Sequence, residues 1–394
     1  MENVRILDVV TTDIAAYRFL RSRVKKINDH IGFENAICCP KGSYFDSLQR
    51  EGIPLIEIEM KRKVDPFSLR SEVTSLREAM RFFQPQIVHS HSSKAGILAR
   101  MAGKLENVPV VIHQVHGFHF SSSKGVKKFF YRWVEKKGSK YADYLFFQNR
   151  EEYDFARTAG WDAWTHLVYI GNGISFEEFS PALLEKKLEK KKTPRILCIA
   201  RVEPVKNQIL LVEALKLLKK EVPQLSFRCD FLGEADPKIK NFLEEEARKG
   251  GISNRLFFHG RVSRETLMRF LSNADISVLT SLKEGKPRAL MESSFMGVPV
   301  VATDVVGTRE VVFPHENGFL VPLGNPKELA AKIQLLLSEK DLSRKLGERG
   351  RQIAREKFDE NRIIGKILSI YRESMAKYYG RAILEKETND FIED

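Results

Sequence analysis

A chain of 394 residues with 43% hydrophobic content has the length and apolar mass for two domains, each with its own core. No run reaches the roughly 20 apolar residues that span a bilayer, and residues 1–20 lack the basic start, apolar centre and small-residue cleavage site of an export signal, so a cytoplasmic protein is expected. The net charge of +13 is concentrated early: residues 1–150 carry 25 Lys/Arg against 15 Asp/Glu, which points to a negatively charged partner for the first half.

The runs NVRILDVV, ENAICC, PLIEIEM, QIVHSH, PVVIHQVHG, YLFFQN and HLVYIGNG read as strands, each followed by a helix-like or loop segment. Such alternation implies a parallel sheet wrapped by helices. Cys38 and Cys39, with Cys198 and Cys229 further on, form no C-x-x-C pair and sit in strand-like runs. They read as reduced core residues, with neither a disulfide nor zinc indicated. His89 and His91 alternate on one face at the end of QIVHSH, a spacing that could seed a metal site; no third ligand stands nearby in the sequence, and polar contacts are favoured. Ser92, Ser93 and Lys94 then open the helix AGILARMAGK, whose free amides and added cation could bind a phosphate. VVIHQVHGFHF ends a strand at His116-Gly117, with His119 just beyond.

The densest basic stretch is SSSKGVKKFFYRWVEKKGSKYAD, where Lys124, Lys127, Lys128, Arg132, Lys136, Lys137 and Lys140 enclose the single acid Glu135, before Asp143 ends the run. Val126, Phe129, Phe130, Trp133 and Val134 follow helical spacing, and Lys128, Arg132 and Lys136 form a basic stripe beside them. A helix of this kind can lie on an anionic membrane surface. The competing reading is that the aromatics pack into the domain and the lysines are a solvated face. Nucleic acid is disfavoured, because no helix-turn-helix, zinc-finger or RNP-type signature accompanies the charge.

LEKKLEKKKTP is the best linker, and the strand pattern restarts after it with RILCIARV, SFRCDFLG, RLFFHGRV, DISVLT, PVVAT and GFLV. The expected domains are 1–180 and 193–360, with a helix over 361–380 able to cross back to the first. At ARVEPVKNQILLVEALKLL, Arg201 and Lys206 flank a short loop before an amphipathic helix, a placement that suits a diphosphate and equally suits ordinary surface cations. In TSLKEGKPRALMESSFMGVPVVATDVVGTRE, Glu284 and Glu292 stand eight apart across a loop-to-helix junction opened by Pro287. Glu284 would lie at the mouth of a pocket and Glu292 two turns on. The amides of Gly285, Lys286, Arg288, Ala289 and Leu290 would face an anion or sugar oxygens. The alternative is a pair of helix-flanking acids that complement the macrodipole.

Taken together, Arg201, Lys206, Glu284, Gly285 and Glu292 resemble the strand, Arg, Lys and E-x7-E pattern of the retaining family-four glycosyltransferases, and GVPVVATDVVGTRE resembles the stretch that follows it there. The resemblance covers nearly the whole chain. It implies a GT-B fold: α/β, with two Rossmann-like doubly wound parallel-sheet domains facing a central cleft, the first binding acceptor and the second the nucleotide-sugar donor. By that resemblance Arg201 and Lys206 grip the donor diphosphate, Glu284 holds the donor sugar, and Glu292 holds the ribose. Gly260 to Ser263 line the base with Val262 in contact, and His116 lies near donor sugar and acceptor. The acceptor residues would be Thr12, Asp13, His91, Ser92, Ser93, Lys94 and His119.

Three departures stand out. Val10-Thr11-Thr12-Asp13 replaces the glycine-rich loop many members have after the first strand, resembling the variant found among enzymes that build capsule, exopolysaccharide and lipid-linked oligosaccharides. Lys286 stands where an apolar or aromatic residue is common, and Val306 replaces the first glycine of a frequent pair. Without a D-x-D motif, the leaving diphosphate would be stabilised by Arg201, Lys206 and helix amides, with no metal ion or other cofactor. The expected reaction is transfer of a hexose or N-acetylhexosamine from a UDP-sugar to a polyprenyl-diphosphate-linked saccharide, with configuration retained, on the inner membrane surface. A soluble acceptor, UDP-sugar epimerisation, and non-enzymatic binding to membrane or nucleic acid are the rival expectations.

Overall fold

All thirteen runs named above form strands, and each pairs in parallel with its neighbours, in a computed structural model that describes residues 3–61, 65–118, 125–179 and 193–379. The first sheet has the order β3-β2-β1-β4-β5-β6-β7: β1 (Val4–Val9), β2 (Phe33–Cys39), β3 (Leu55–Glu57), β4 (Ile87–His91), β5 (Val110–Val115), β6 (Tyr144–Phe147) and β7 (His166–Tyr169). The second has the order β10-β9-β8-β11-β12-β13: β8 (Arg195–Ile199), β9 (Arg228–Leu232), β10 (Leu256–Phe258), β11 (Ile276–Leu279), β12 (Val300–Thr303) and β13 (Gly318–Val321). Central strands such as β5 and β12 are buried along their whole length, because helices cover both faces of a parallel sheet. In each sheet the order reverses once, between β1 and β4 and between β8 and β11. Ligands bind open α/β sheets beyond the carboxyl ends of the strands at that reversal.

The chain divides into two units, Met1–Gly171 with Asn361–Asp394, and Asn172–Glu360. The first unit thus closes at Gly171, nine residues before the expected end at 180. Ile174 and Phe179 pack with Leu197, Leu279 and Phe295 in a core of the second unit, and apolar burial decides where the segment belongs. The charged linker lies outside the described residues. The helix Glu360–Tyr379 buries Ile364, Ile367, Leu368, Tyr371 and Met375 against Ile6, Ile87, Ile112 and Phe146 of the first sheet. Each such side chain removed from water contributes roughly 1.5–3 kcal/mol, so this stripe holds the helix on the first unit.

Period-two alternation sorts the first sheet into two faces. Leu7, Val9, Val88 and Val111 lie on one, packed by Leu76, Met80, Leu98 and Ala99. The other begins apolar, with Ile6, Ile87, Ile112 and Phe146. Two residues further along each strand it becomes polar, with Asp8, His89, Gln114 and Gln148. Four cysteines are free and buried, and burial pushes the Cys198 thiol up to about 12, so it stays protonated at neutral pH.

Candidate functional site

In the second unit, β8 and β11 are neighbours at the reversal, and the loops that leave them are tied together. Thr280 Oγ1 donates to the Lys206 carbonyl (3.1 Å), and the Leu282 N–H donates to the Val205 carbonyl (2.9 Å). Lys206 Nζ then meets Glu284 Oε1 at 2.7 Å, and Ser281 Oγ donates to the same oxygen at 2.5 Å. With their side chains 20% and 11% exposed, the ammonium and the carboxylate are held in place but still reach the surface. Arg201 is more open, 41% exposed, and pairs with Glu203 at 2.8 Å. The helix Arg288–Phe295 starts on this same loop with Pro287 as its N-cap rather than in its first turn, and no side chain caps it. The Leu290 and Met291 N–H groups donate to the Pro287 carbonyl (3.2 and 3.4 Å), so the amides left for a ligand at this helix start are those of Arg288 and Ala289.

Glu292 is buried, and Arg264 NH1 donates to its Oε1 at 2.7 Å. Arg264 itself lies over the Phe179 ring (4.7 Å) and 3.2 Å from Glu178 Oε2. The carboxylate expected to hold a ribose therefore has one oxygen fixed by a forked cation. Gly260 adopts φ +63° and its carbonyl accepts from the Gly233 N–H at 2.8 Å, while Val262 packs on the core beneath. The preceding His259 is anchored to the buried Asp230 through Nε2 (2.6 Å), which fixes the start of that loop.

The Lys286 ammonium, at the position where an apolar or aromatic residue is common, is buried 3.2 Å from Glu310 and near the Phe358 ring, so its charge faces inward. Asn172 Nδ2 donates to its carbonyl at 3.1 Å. The loop is also pressed by Gly307, where a Cβ would lie 2.1 Å from the Gly285 carbonyl oxygen and where φ is +87°. Only glycine meets both demands, which explains this glycine although its expected partner is Val306.

In the first unit the polar half-face of the sheet forms a connected cluster. Asp8 lies in register with His89, and His91 with Gln114. Arg23, from the helix Arg21–Asn28, donates NH2 to Asp8 Oδ1 and NH1 to Gln114 Oε1 (3.0 Å). His91 Nε2 stands 2.7 Å from Asp8 Oδ1, His91 Nδ1 stands 3.1 Å from His116 Nε2, and Gln148 Nε2 donates to His116 Nδ1 at 2.9 Å. Both ring nitrogens of His116 are thus engaged. Burial first, then the Arg23 charge, pushes His116 down to about 4, so the ring is neutral. Asp8, His89 and His91 have the composition of a metal site, and Asp8 is the third group the sequence did not display. Arg23 NH2, on Asp8 Oδ1 and 2.9 Å from His91 Nε2, puts a fixed cation there instead.

Two acceptor expectations are corrected. Lys94 Nζ is buried 2.7 Å from Glu72 and donates to the Lys61 carbonyl (2.8 Å), so its charge is matched inside the protein. Asp13 is buried and accepts from the Tyr44 N–H at 2.5 Å, which ties down the loop after β2. Thr12 caps the turn that follows by accepting from the Ala15 N–H (3.2 Å). Ser92, at φ +63°, shares a 2.5 Å hydrogen bond with Thr11, and Ser93 begins its helix. His119 lies outside the described residues.

The basic segment forms the helix Gly125–Ser139, with Lys124 outside the described residues. Its second half is docked: Glu135 lies 3.5 Å from the buried Arg100, and Trp164 Nε1 donates to Ser139 Oγ at 2.9 Å. Its first half is not. Phe129 is 72% exposed and Trp133 58%, with Val126, Phe130 and Tyr131 exposed as well, so the aromatics do not pack into the described domain.

Residues 180–353 match the family described as Glycosyl transferases group 1, and residues 29–173 match the Glycosyl transferase 4-like domain. EpsD of Bacillus subtilis is 32% identical over 310 residues, which cover 76% of this chain and 80% of that protein. The chain is a group-1 glycosyltransferase. The UDP-Gal:alpha-D-GlcNAc-diphosphoundecaprenol alpha-1,3-galactosyltransferase of Escherichia coli is 29% identical to this glycosyltransferase over 300 residues, 74% of the chain and 76% of that enzyme. Among solved structures, Anabaena Alr3699/HepE in complex with UDP and glucose superposes with a TM-score of 0.78 at 20% identity, covering 94% of this glycosyltransferase and all of that chain. The fold of the glycosyltransferase is GT-B.

Proposed function

We propose that this glycosyltransferase moves a hexose or N-acetylhexosamine from a UDP-sugar to a polyprenyl-diphosphate-linked saccharide in cell-surface polysaccharide synthesis, with retention and without a metal ion. The observation that carries the donor half is the Lys206–Glu284 pair at the strand-order reversal, flanked by Arg201 and an uncapped helix start. Cations and helix amides are the groups that stabilise a nucleoside diphosphate as it leaves. In the reaction the bond from the anomeric carbon to the phosphate oxygen breaks, the acceptor hydroxyl oxygen bonds to that carbon on the same face, and the departing phosphate oxygen takes the hydroxyl proton. Glu284 would orient the sugar through its hydroxyls, and Glu292, steadied by Arg264, would accept from the ribose. The Escherichia coli relative is named for a UDP-sugar donor and a diphosphoundecaprenol acceptor, which supports the same pairing here.

Release of UDP from a panel of nucleotide sugars tests this reading. Release should require a polyprenyl-diphosphate saccharide; equal release without acceptor, or conversion of the sugar nucleotide to an epimer, would sink it.

The acceptor half rests on the helix Gly125–Ser139. Exposed aromatics beside Lys127, Lys128 and Arg132 suit the interface of an anionic bilayer, where rings enter the headgroup layer and basic side chains meet lipid charge. This would hold the enzyme on the inner face of the membrane; no helix among the described residues is long and apolar enough to cross it. Replacing Phe129, Phe130 and Trp133 by Ser should weaken binding to phosphatidylglycerol vesicles by about a hundredfold, since each lost ring forfeits burial of order 1 kcal/mol, and added salt should weaken wild-type binding. Equal affinity for neutral and anionic vesicles would exclude the membrane role.

A further inference from the structure

The segment after β1 holds one large apolar side chain that packing does not explain. In the turn Ala16–Leu20, Ala16 and Leu20 are buried in a core with Val24, Ile37 and Leu48, and Tyr17 packs at its edge with its ring 4.6 Å from that of Tyr44. Phe19, on the same turn, joins none of the apolar cores of the described residues and is 46% exposed. Its one ring neighbour among the described residues is His116, with centroids 6.0 Å apart and planes tilted by 42°. The turn is a π-helix, closed by the Arg21 N–H on the Ala16 carbonyl; such wide turns are uncommon and recur at functional sites.

The surroundings of this ring are polar and half-open. β1, β4 and β5 are consecutive across the strand-order reversal of the first sheet, and Thr11, Ser92 and His116 stand just beyond their carboxyl ends, where open α/β sheets bind ligands. All three are partly exposed. Thr11 Oγ1 and Ser92 Oγ meet at 2.5 Å, and His116 is joined at 3.1 Å to His91, the residue before Ser92. Ser92 takes φ +63° and ψ 159°, a backbone region otherwise left to glycine, and strain of that kind gathers at ligand sites.

A pyranose matches this combination of groups. One face of it presents C–H groups, which suit the negative face of an aromatic ring, and its rim carries hydroxyls that need donors and acceptors. A lipid tail does not match, because it would cover three polar side chains with hydrocarbon. We propose that Phe19 is the platform on which the acceptor's sugar ring lies, with His116, Thr11 and Ser92 beside it for the hydroxyls. The proposal rests on the glycosyl-transfer reading above, in which the first unit takes the acceptor. Phe19 makes and breaks no bond; it fixes where the saccharide sits.

Binding can be read without turnover. In Phe19→Trp, indole emission should shift on addition of GlcNAc-diphosphoundecaprenol in detergent micelles, the acceptor named for the Escherichia coli relative, and should not shift with undecaprenyl diphosphate. The wild type, whose tryptophans are Trp133, Trp161 and Trp164, should show no difference between the two lipids. In steady state, Phe19→Ala should raise the acceptor KM roughly tenfold, the loss expected when about half of a ring's apolar contact goes, with kcat and the KM for the nucleotide sugar little changed. Phe19→Tyr should keep the wild-type values, and the thermal midpoint of Phe19→Ala should stay close to that of the wild type, since the ring lies outside the cores. An unchanged acceptor KM in Phe19→Ala overturns the proposal. So does an absent response of Phe19→Trp, or an equal response to both lipids, which would put lipid or diphosphate at the ring. A wild type that releases UDP equally without acceptor would sink the transfer reading instead, and the fluorescence would still report whether the ring meets a saccharide.

Discussion

Lys206→Ala should lower turnover by about 10²–10³-fold, the usual cost of removing one preorganised group that stabilises transition-state charge, with little change in thermal midpoint. The lysine ends a loop and its side chain reaches the surface, so the fold does not depend on its ammonium. Its partner should behave likewise: Glu284→Gln keeps the shape but loses the charge that orients both Lys206 and the sugar. Because Lys206 and Glu284 are in contact at 2.7 Å, their effects should not add, and the double variant should be little slower than the worse single one. The measurement is steady-state UDP release at saturating donor, checked by single turnover. Near wild-type turnover in either variant would remove this pair from the chemistry. A fully additive double variant would show that the two act on separate steps.

Stability should fall steeply as the medium is acidified below pH 6.5. Four histidines of the first unit, His89, His91, His113 and His116, are held below the ordinary value of 6.5 by burial, and by the nearby cations Arg23 and Arg100. The native rings stay neutral while the unfolded chain binds protons at 6.5. Their contribution is therefore fully present above that pH and is lost as pH falls toward the depressed native values. Each such ring costs about 1.4 kcal/mol per pH unit, so four together approach ~5 kcal/mol per unit, comparable with the whole stability of many domains. The acid that faces these rings, Asp8, is paired with Arg23 and Asn35. Urea unfolding at pH 7.5, 6.5 and 5.5 checks this, and a flat midpoint over that range would refute it.

The sheets were legible in the sequence because period and punctuation carry them: every run bounded by turn residues became a strand, in parallel pairing. The donor loop was legible because its residues are close in the chain and share one junction. What escaped is tertiary. Asp8 sits inside ILDVV, which reads as an apolar strand, yet a lone acid in a run buried on both faces is the signal of a buried polar cluster. Arg23 looked like one cation among many on a basic helix. Lys94 was read as an available charge, and the buried side chain of Lys286 was not foreseen; their partners Glu72 and Glu310 stand 22 and 24 residues away in sequence, beyond any local spacing rule. The aromatic helix was left between two readings, and only the exposure of Phe129 and Trp133 separates them.

The return of Glu360–Tyr379 to the first sheet has a consequence for the order in which the protein comes into being. On the ribosome, residues 172–360 emerge as a complete set before the strip that seals Ile6, Ile87 and Ile112 has been made. The unit that is second in the sequence can therefore finish folding first, while the amino-terminal sheet waits with an open apolar face until the last helix arrives. The gene cannot be cut once to yield two independent halves, and a nonsense codon near residue 360 would strand the older part of the chain, not the younger.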